Sequence, residues 1–184
     1  MMREQARSVL LGVALLARGR ADGMAQFGDS VPAFMASVAP LLAFPLVGSV
    51  MLLASGSAAA ALSGLFASCI ALLAPLVLSH AMARLWGRES AWLRYATAFN
   101  WCHWATLLAA MVLLLVLGPA AAGGAASGGV FVLALSLYTL WLQAFLARHG
   151  LGVSWPRALA VVLVTNAGSA LLVFGPLRLV GGAP

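Results

Sequence analysis

From Val31 to Ser79 the chain carries no charged side chain. A run of that length exceeds the roughly 20 apolar residues that one crossing of a bilayer needs. Ser55-Gly56-Ser57 is turn-forming material within it and divides it into two helical spans, near 34–54 and 59–80. Pro40, Pro45 and Pro75 fall inside these spans. Membrane helices tolerate such breaks where neighbouring helices satisfy the freed backbone groups. Composition extends the argument to the whole chain, which is 64% hydrophobic and 8% charged. A soluble domain is about 25% charged, because its surface faces water. Lipid is therefore the expected solvent for most of the exterior.

Three more spans follow. Residues 80–94 are polar, with Arg84, Arg88, Glu89 and Arg94, and a third span is expected over 95–117. Gly118-Pro119 should end it, followed by an uncharged Ala/Gly/Ser loop to Gly129 that includes Gly123-Gly124. The fourth span is expected over 130–147, closed by Arg148-His149-Gly150, with His149 in a solvated loop. Trp155-Pro156-Arg157 opens the fifth, over 157–174, which Gly175-Pro176 should stop. The expected fold is an all-α polytopic bundle of five transmembrane helices. Segment 1–30 precedes the membrane domain of 31–176, and 177–184 forms a short tail.

The first twenty residues do not read as a signal peptide, because Arg18 and Arg20 stand where a small-residue cleavage site belongs. On a helical wheel Arg3, Glu4, Arg7, Ser8 and Arg18 gather opposite Val9, Leu10, Val13 and Leu16. That pattern predicts an amphipathic helix lying in the membrane interface. A solvated helix packed on the bundle is the alternative. Ser30 and Pro32 supply the cap and first turn of the next helix.

All ten basic residues are arginine. With five spans, nine of them (3, 7, 18, 20, 84, 88, 94, 148 and 157) share one side, against Arg178 on the other. All four acids lie on the arginine-rich side too. The positive-inside rule then places the N-terminus in the cytoplasm and the C-terminus in the periplasm of a bacterial inner membrane. The arginines sit in small groups between apolar runs, which fits anchoring to anionic lipid and not a nucleic-acid-binding face. Arg84, Arg88 and Arg94 are the candidate lipid or partner contacts.

Polar side chains inside the spans are the remaining functional candidates. Asn100 and His103 share one face of the third span. The flanking Tyr95, Trp101 and Trp104 have the makings of an aromatic belt. Ser136, Thr139 and Gln143 form a stripe on the fourth span, and Thr165, Asn166 and Ser169 one on the fifth. Hydrogen bonding between helices is the preferred reading for Asn100, His103, Gln143 and Asn166, with a path for a solute as the alternative. His80 and His103 are a possible axial pair for haem, or a quinone contact. Cys69 and Cys102 lie in apolar stretches as small hydrophobes, without metal-type spacing. No HExxH, P-loop or GxSxG motif is present. No catalytic, cofactor or metal residue is therefore assigned.

The stretch Trp86-Gly87-Arg88-Glu89-Ser90-Ala91-Trp92-Leu93-Arg94-Tyr95-Ala96, with the short amphipathic N-terminal part, five spans and tight loops, resembles the Yip family of small membrane proteins. The resemblance covers roughly residues 25–176. In that family a Gly and a small or hydroxyl residue often lead into an aromatic-rich Tyr-Ala segment between the second and third spans. A proline usually follows, but Thr97-Ala98-Phe99-Asn100-Trp101 has none. Eukaryotic members interact with small trafficking GTPases and organise membranes, so the resemblance implies neither a reaction nor site residues. The expected function is a non-enzymatic scaffold or accessory subunit, acting through helix contacts and a basic cytoplasmic face. Its partner is another membrane protein or a second copy of the chain. A small transporter or channel is the alternative, with a haem- or quinone-binding subunit behind it. A periplasm-sensitive reporter fused after Pro184 should be active; a silent fusion would mean an even number of spans.

Overall fold

The computed structural model describes residues 2–121 and 125–181, and helix accounts for nearly all of them, with no strand among the described residues. The elements are α1 (Met2–Ala17), a 3-10 helix (Ala21–Gln26), α2 (Val31–Ala54), α3 (Ala58–Leu85), α4 (Glu89–Ala121), α5 (Ala125–Leu151) and α6 (Trp155–Gly181). Four stretches among the described residues are long and apolar enough to cross a membrane: Val31–Ala54, Ala58–Leu85, Gly129–Leu151 and Trp155–Gly175.

The helices overrun the ends marked by the sequence. α4 continues through Gly118-Pro119, and α6 continues through Gly175-Pro176 into the expected tail. Part of the expected loop before Gly129 is the first turn of α5, while Gly123-Gly124 lies outside the described residues. Membrane helices tolerate Gly and Pro, so neither Gly-Pro pair enforces a stop. The polar segment 80–94 is also mostly helical, because α3 reaches Leu85 and α4 starts at Glu89. There the arginines mark where a helix leaves the apolar layer, not where it stops, since Arg is a good helix former.

What ends these helices is backbone geometry. Gly87 (φ 64°) makes the α3–α4 turn and Gly152 (φ 63°) makes the α5–α6 turn, both in the left-handed region. Gly150, expected to close the fourth span together with Arg148 and His149, lies inside α5. It is a packing glycine: a Cβ there would stand 2.9 Å from Met24 Cε and 3.0 Å from Tyr95. At the start of α2, Ser30 Oγ accepts from the Ala33 N–H at 3.4 Å, with Pro32 in the first turn, as the sequence implies.

Helices α2 to α6 close into a ring in the spatial order α2, α3, α6, α5, α4 and back to α2. Gly168 lets α6 approach α3 closely, since a Cβ there would meet Leu78 Cδ1 at 2.6 Å. α1 and the 3-10 helix pack across α4 and α5 at the arginine-rich end. Leu16, Met24 and Phe27 join Tyr95, Leu146 and Leu151 in one buried core. α1 thus docks through Val9, Val13 and Leu16, with Gly12 against the Phe27 ring. Leu10, expected on that same face, points away and is 70% exposed, with Leu11 beside it. The close approach at Gly12 rotates the helix, which carries Leu10 outward.

The buried residues are distributed unevenly along the ring. Among the described residues, only Ser49 and Ala61 of the buried set lie beyond the level of Leu41, Ala74 and Thr165. The arginine-rich half is a packed core, and the far half exposes Val47, Val50, Met51, Phe66, Val132 and Leu171. Such exposed apolar surface suits lipid as the outer solvent.

Candidate functional site

Inside the ring, at the top of the packed half, lies a cavity of about 140 Å³ with walls from all five helices. Leu41 comes from α2, Ala71, Leu72 and Pro75 from α3, and Phe99, Asn100 and His103 from α4. α5 supplies Gln143, and α6 supplies Thr165, Asn166 and Ser169. At about 1.5 Å per residue, these positions sit roughly 12–21 Å from the arginine-side ends of their helices. All five helices reach this common level, and three of them, α4, α5 and α6, present polar side chains there.

Two hydrogen bonds tie that level together. Asn100 Nδ2 donates to Ser37 Oγ at 3.0 Å, joining α4 to α2 between fully buried partners. Asn166 Nδ2 donates to Gln143 Oε1 at 2.7 Å, joining α6 to α5 at the cavity rim, and also to the Val162 carbonyl at 2.8 Å. These contacts hold helix to helix, the role preferred from sequence for Asn100, Gln143 and Asn166. Interhelical hydrogen bonds in membranes average about 0.6 kcal/mol, so they select helix register more than they add stability.

The same groups leave capacity unused. Gln143 has amide protons to donate and Asn100 an amide oxygen to accept. Most hydroxyls in these helices bond back to a carbonyl one turn earlier, as Thr165 does to Val161 at 2.7 Å and Ser49 to Pro45 at 2.7 Å. Ser169 does not: its Oγ is buried and, among the described residues, has no partner. Pro45 and Pro75 have no N–H, so the carbonyls of Leu41 and Ala71, four residues earlier, lose their helical donors. Both residues line the cavity. Unpaired polar groups away from water cost about 1–3 kcal/mol each, which makes a dry cavity here unfavourable. The volume accommodates several water molecules or one compact polar group.

The histidines separate. His80 stands edge-on to Trp92 at 4.7 Å between ring centres, in the α3–α4 seam. His103 lies parallel to Phe99 at 6.1 Å and borders the cavity. His149, expected in a loop, is an exposed residue of α5 with its ring 4.4 Å from Phe145. Among the described residues no group of three His, Cys, Asp or Glu side chains is arranged to hold a metal.

Of the three arginines singled out from sequence, two are in ion pairs. Arg84 Nε pairs with Glu89 at 3.6 Å, and Arg94 Nη2 pairs with Asp29 at 2.6 Å, tying α4 to the segment before α2. Arg20 likewise holds Asp22 at 2.7 Å, and that hydrogen bond keeps the Asp22 carboxyl below its ordinary pKa. Arg88 has no acidic partner among the described residues. Its guanidinium instead reaches the α5–α6 turn, 3.8 Å from where a Cβ on Gly152 would stand. Arg148 lies 4.8 Å over the Trp155 ring and Arg157 lies 5.6 Å over Trp86. Among the described residues at this end, Arg7, Arg18, Arg88, Arg148 and Arg157 take part in no ion pair.

Length and composition of the helices make the chain a multi-pass helical membrane protein, here with a polar centre. No protein-family model, curated protein or solved structure matches it.

A double-mutant cycle of Gln143→Ala with Asn166→Ala should give a coupling of about 0.6 kcal/mol. Asn100→Ala should cost about 1 kcal/mol, the worth of the buried hydrogen bond to Ser37, whose hydroxyl keeps its own bond to the Phe34 carbonyl. Unfolding by titration with sodium dodecyl sulfate reads both, and a coupling near zero would mean that the rim pair does not form.

Proposed function

We propose that this chain is a Yip-like protein of the bacterial inner membrane that crosses the bilayer five times and works without catalysis. It binds a small uncharged polar group in the cavity at the centre of its ring. The observation carrying the proposal is that cavity, with walls from five helices at one level and hydrogen-bonding capacity left over. A hydrocarbon core is about 30 Å thick, so a level roughly 12–21 Å from the helix ends is near mid-membrane, where transport proteins hold their substrates.

α4 supplies the fifth span in this reading. It has 33 residues, and Leu107 to Leu117 is an uninterrupted apolar run. Its polar residues Asn100 and His103 face the cavity, which explains why the helix is less apolar overall than its neighbours. With α4 counted, the arginine bias puts the N-terminus in the cytoplasm and the C-terminus in the periplasm. α1 lies in the cytoplasmic interface, where Leu10 and Leu11 reach the acyl boundary beside Arg7. Arg88, Arg148 and Arg157, with Trp86 and Trp155, meet the anionic headgroups.

This ranks the carrier-type alternative above the scaffold. A scaffold has no use for spare hydrogen-bonding capacity around a central cavity, and a ligand-binding protein does. Protein extracted in mild detergent should retain a small uncharged molecule, detected by mass spectrometry of the released fraction. The double variant Gln143→Leu, Asn166→Leu should lose that molecule while remaining monodisperse. Retention unchanged in the variant, or no retained molecule in the native protein, would overturn the proposal.

A further inference from the structure

The central cavity adjoins a second one. A groove of about 400 Å³ runs between α2 and α4 and shares Leu41, Ala71, Leu72 and His103 with the polar cavity. Its other walls are apolar apart from Ser68, with Pro40, Phe44, Pro45, Trp104, Leu107 and Met111 among them. It faces outward: Phe44 is 57% and Met111 53% exposed, on a surface that lipid covers in the five-span reading. Phe44 and Trp104 meet edge to face across it at 5.2 Å. The lining changes character at His103, hydrogen-bonding on the inner side and hydrocarbon on the outer.

We infer that the ligand is a membrane-dissolved amphiphile, with an uncharged hydrogen-bonding head in the central cavity and an apolar chain in the α2–α4 groove. This rests on the central cavity being a binding site, and it adds the ligand's class and its route. Three features support it. First, Ala98, Cys102, Leu142 and Leu146 are buried between the cavity and the arginine-rich end, whereas the groove borders the cavity from the lipid side. Second, neither lining contains Asp, Glu, Lys or Arg. A carboxylate, phosphate or ammonium head would lose its hydration there without gaining a counter-ion, which excludes fatty acid anions and phospholipids. Third, the inner walls offer both donors and acceptors, through Gln143, Asn100, Ser169 and His103, so a neutral head of mixed hydrogen-bonding character fits. A plain alkane would leave those groups unpaired.

Trp104 reports on the groove. The protein is placed in nanodiscs of phosphatidylcholine and titrated separately with a dibrominated long-chain alcohol, the matching dibrominated alkane and the matching fatty acid kept ionised. Bromine quenches tryptophan at contact, and Trp104→Phe isolates the contribution of Trp104 while keeping the aromatic contact with Phe44. The alcohol should quench Trp104 saturably, and the other two only in proportion to their concentration in the bilayer. His103→Leu should raise the half-saturating concentration of the alcohol about fivefold, the factor for one neutral hydrogen bond of about 1 kcal/mol. His103→Gln should restore most of the affinity, which separates a lost hydrogen bond from a damaged fold. Equal, non-saturating quenching by all three probes would overturn the inference. If native protein then still retained a molecule lost on Gln143→Leu, Asn166→Leu, the cavity would stand as a site for a water-soluble ligand; if it retained none, both readings would fall.

Discussion

An apolar surround leaves every backbone N–H and C=O to find a partner within the chain, and the whole structure follows from that constraint. It makes the described residues almost wholly helical and carries the helices through prolines that would end them in water. α2 runs on through Pro40 and Pro45, α3 through Pro75, and α4 and α6 through Gly-Pro pairs near their ends. Continuing past a proline has a local consequence: the carbonyl four residues earlier has no helical donor. For Pro45 and Pro75 those carbonyls belong to Leu41 and Ala71, in the cavity wall.

Side-chain hydrogen bonds then hold the polar residues at one level. Asn100 with Ser37 and Asn166 with Gln143 tie neighbouring helices in register. Each is weak, yet helices already threaded through a bilayer need little to choose among rotations about their axes. Toward the arginine-rich end, α1 and the 3-10 helix pack across α4 and α5, and Leu16 and Phe27 join Leu146 and Leu151 in one buried core. On the other side of the cavity the described residues are mostly exposed. A polar centre thus lies between a packed core on one side and an apolar groove on another.

The helices were legible in the sequence because apolarity over about 20 residues is a direct requirement of the bilayer. Their ends were not. Gly118-Pro119, Gly150 and Gly175-Pro176 have the composition of stops, but the two Gly-Pro pairs are tolerated within longer helices, and Gly150 serves close packing against Tyr95 and Met24. Among the site residues, Asn100, His103, Gln143 and Asn166 stood out because polar groups are rare in apolar helices. Their convergence was not readable, because it depends on which helices are neighbours and how each is rotated. Ser37 carried no signal, since serine is unremarkable in a membrane helix. The carbonyls of Leu41 and Ala71 did carry one, in the prolines four residues later. Among the arginines near 84–94, Arg84 and Arg94 are found paired with Glu89 and Asp29.

The central claim is that the ring encloses an open polar cavity, and the reactivity of a thiol placed in it is the most direct measure. In a background lacking Cys69, Ser169→Cys and native Cys102 can be compared in one protein, since Cys102 is buried in the packed half. With methyl methanethiosulfonate, a small uncharged reagent that crosses bilayers, the thiol at 169 should be modified well before Cys102, and a bulky reagent should reach neither. Equal and slow modification of the two thiols by the small reagent would mean that the five helices close on one another without a cavity.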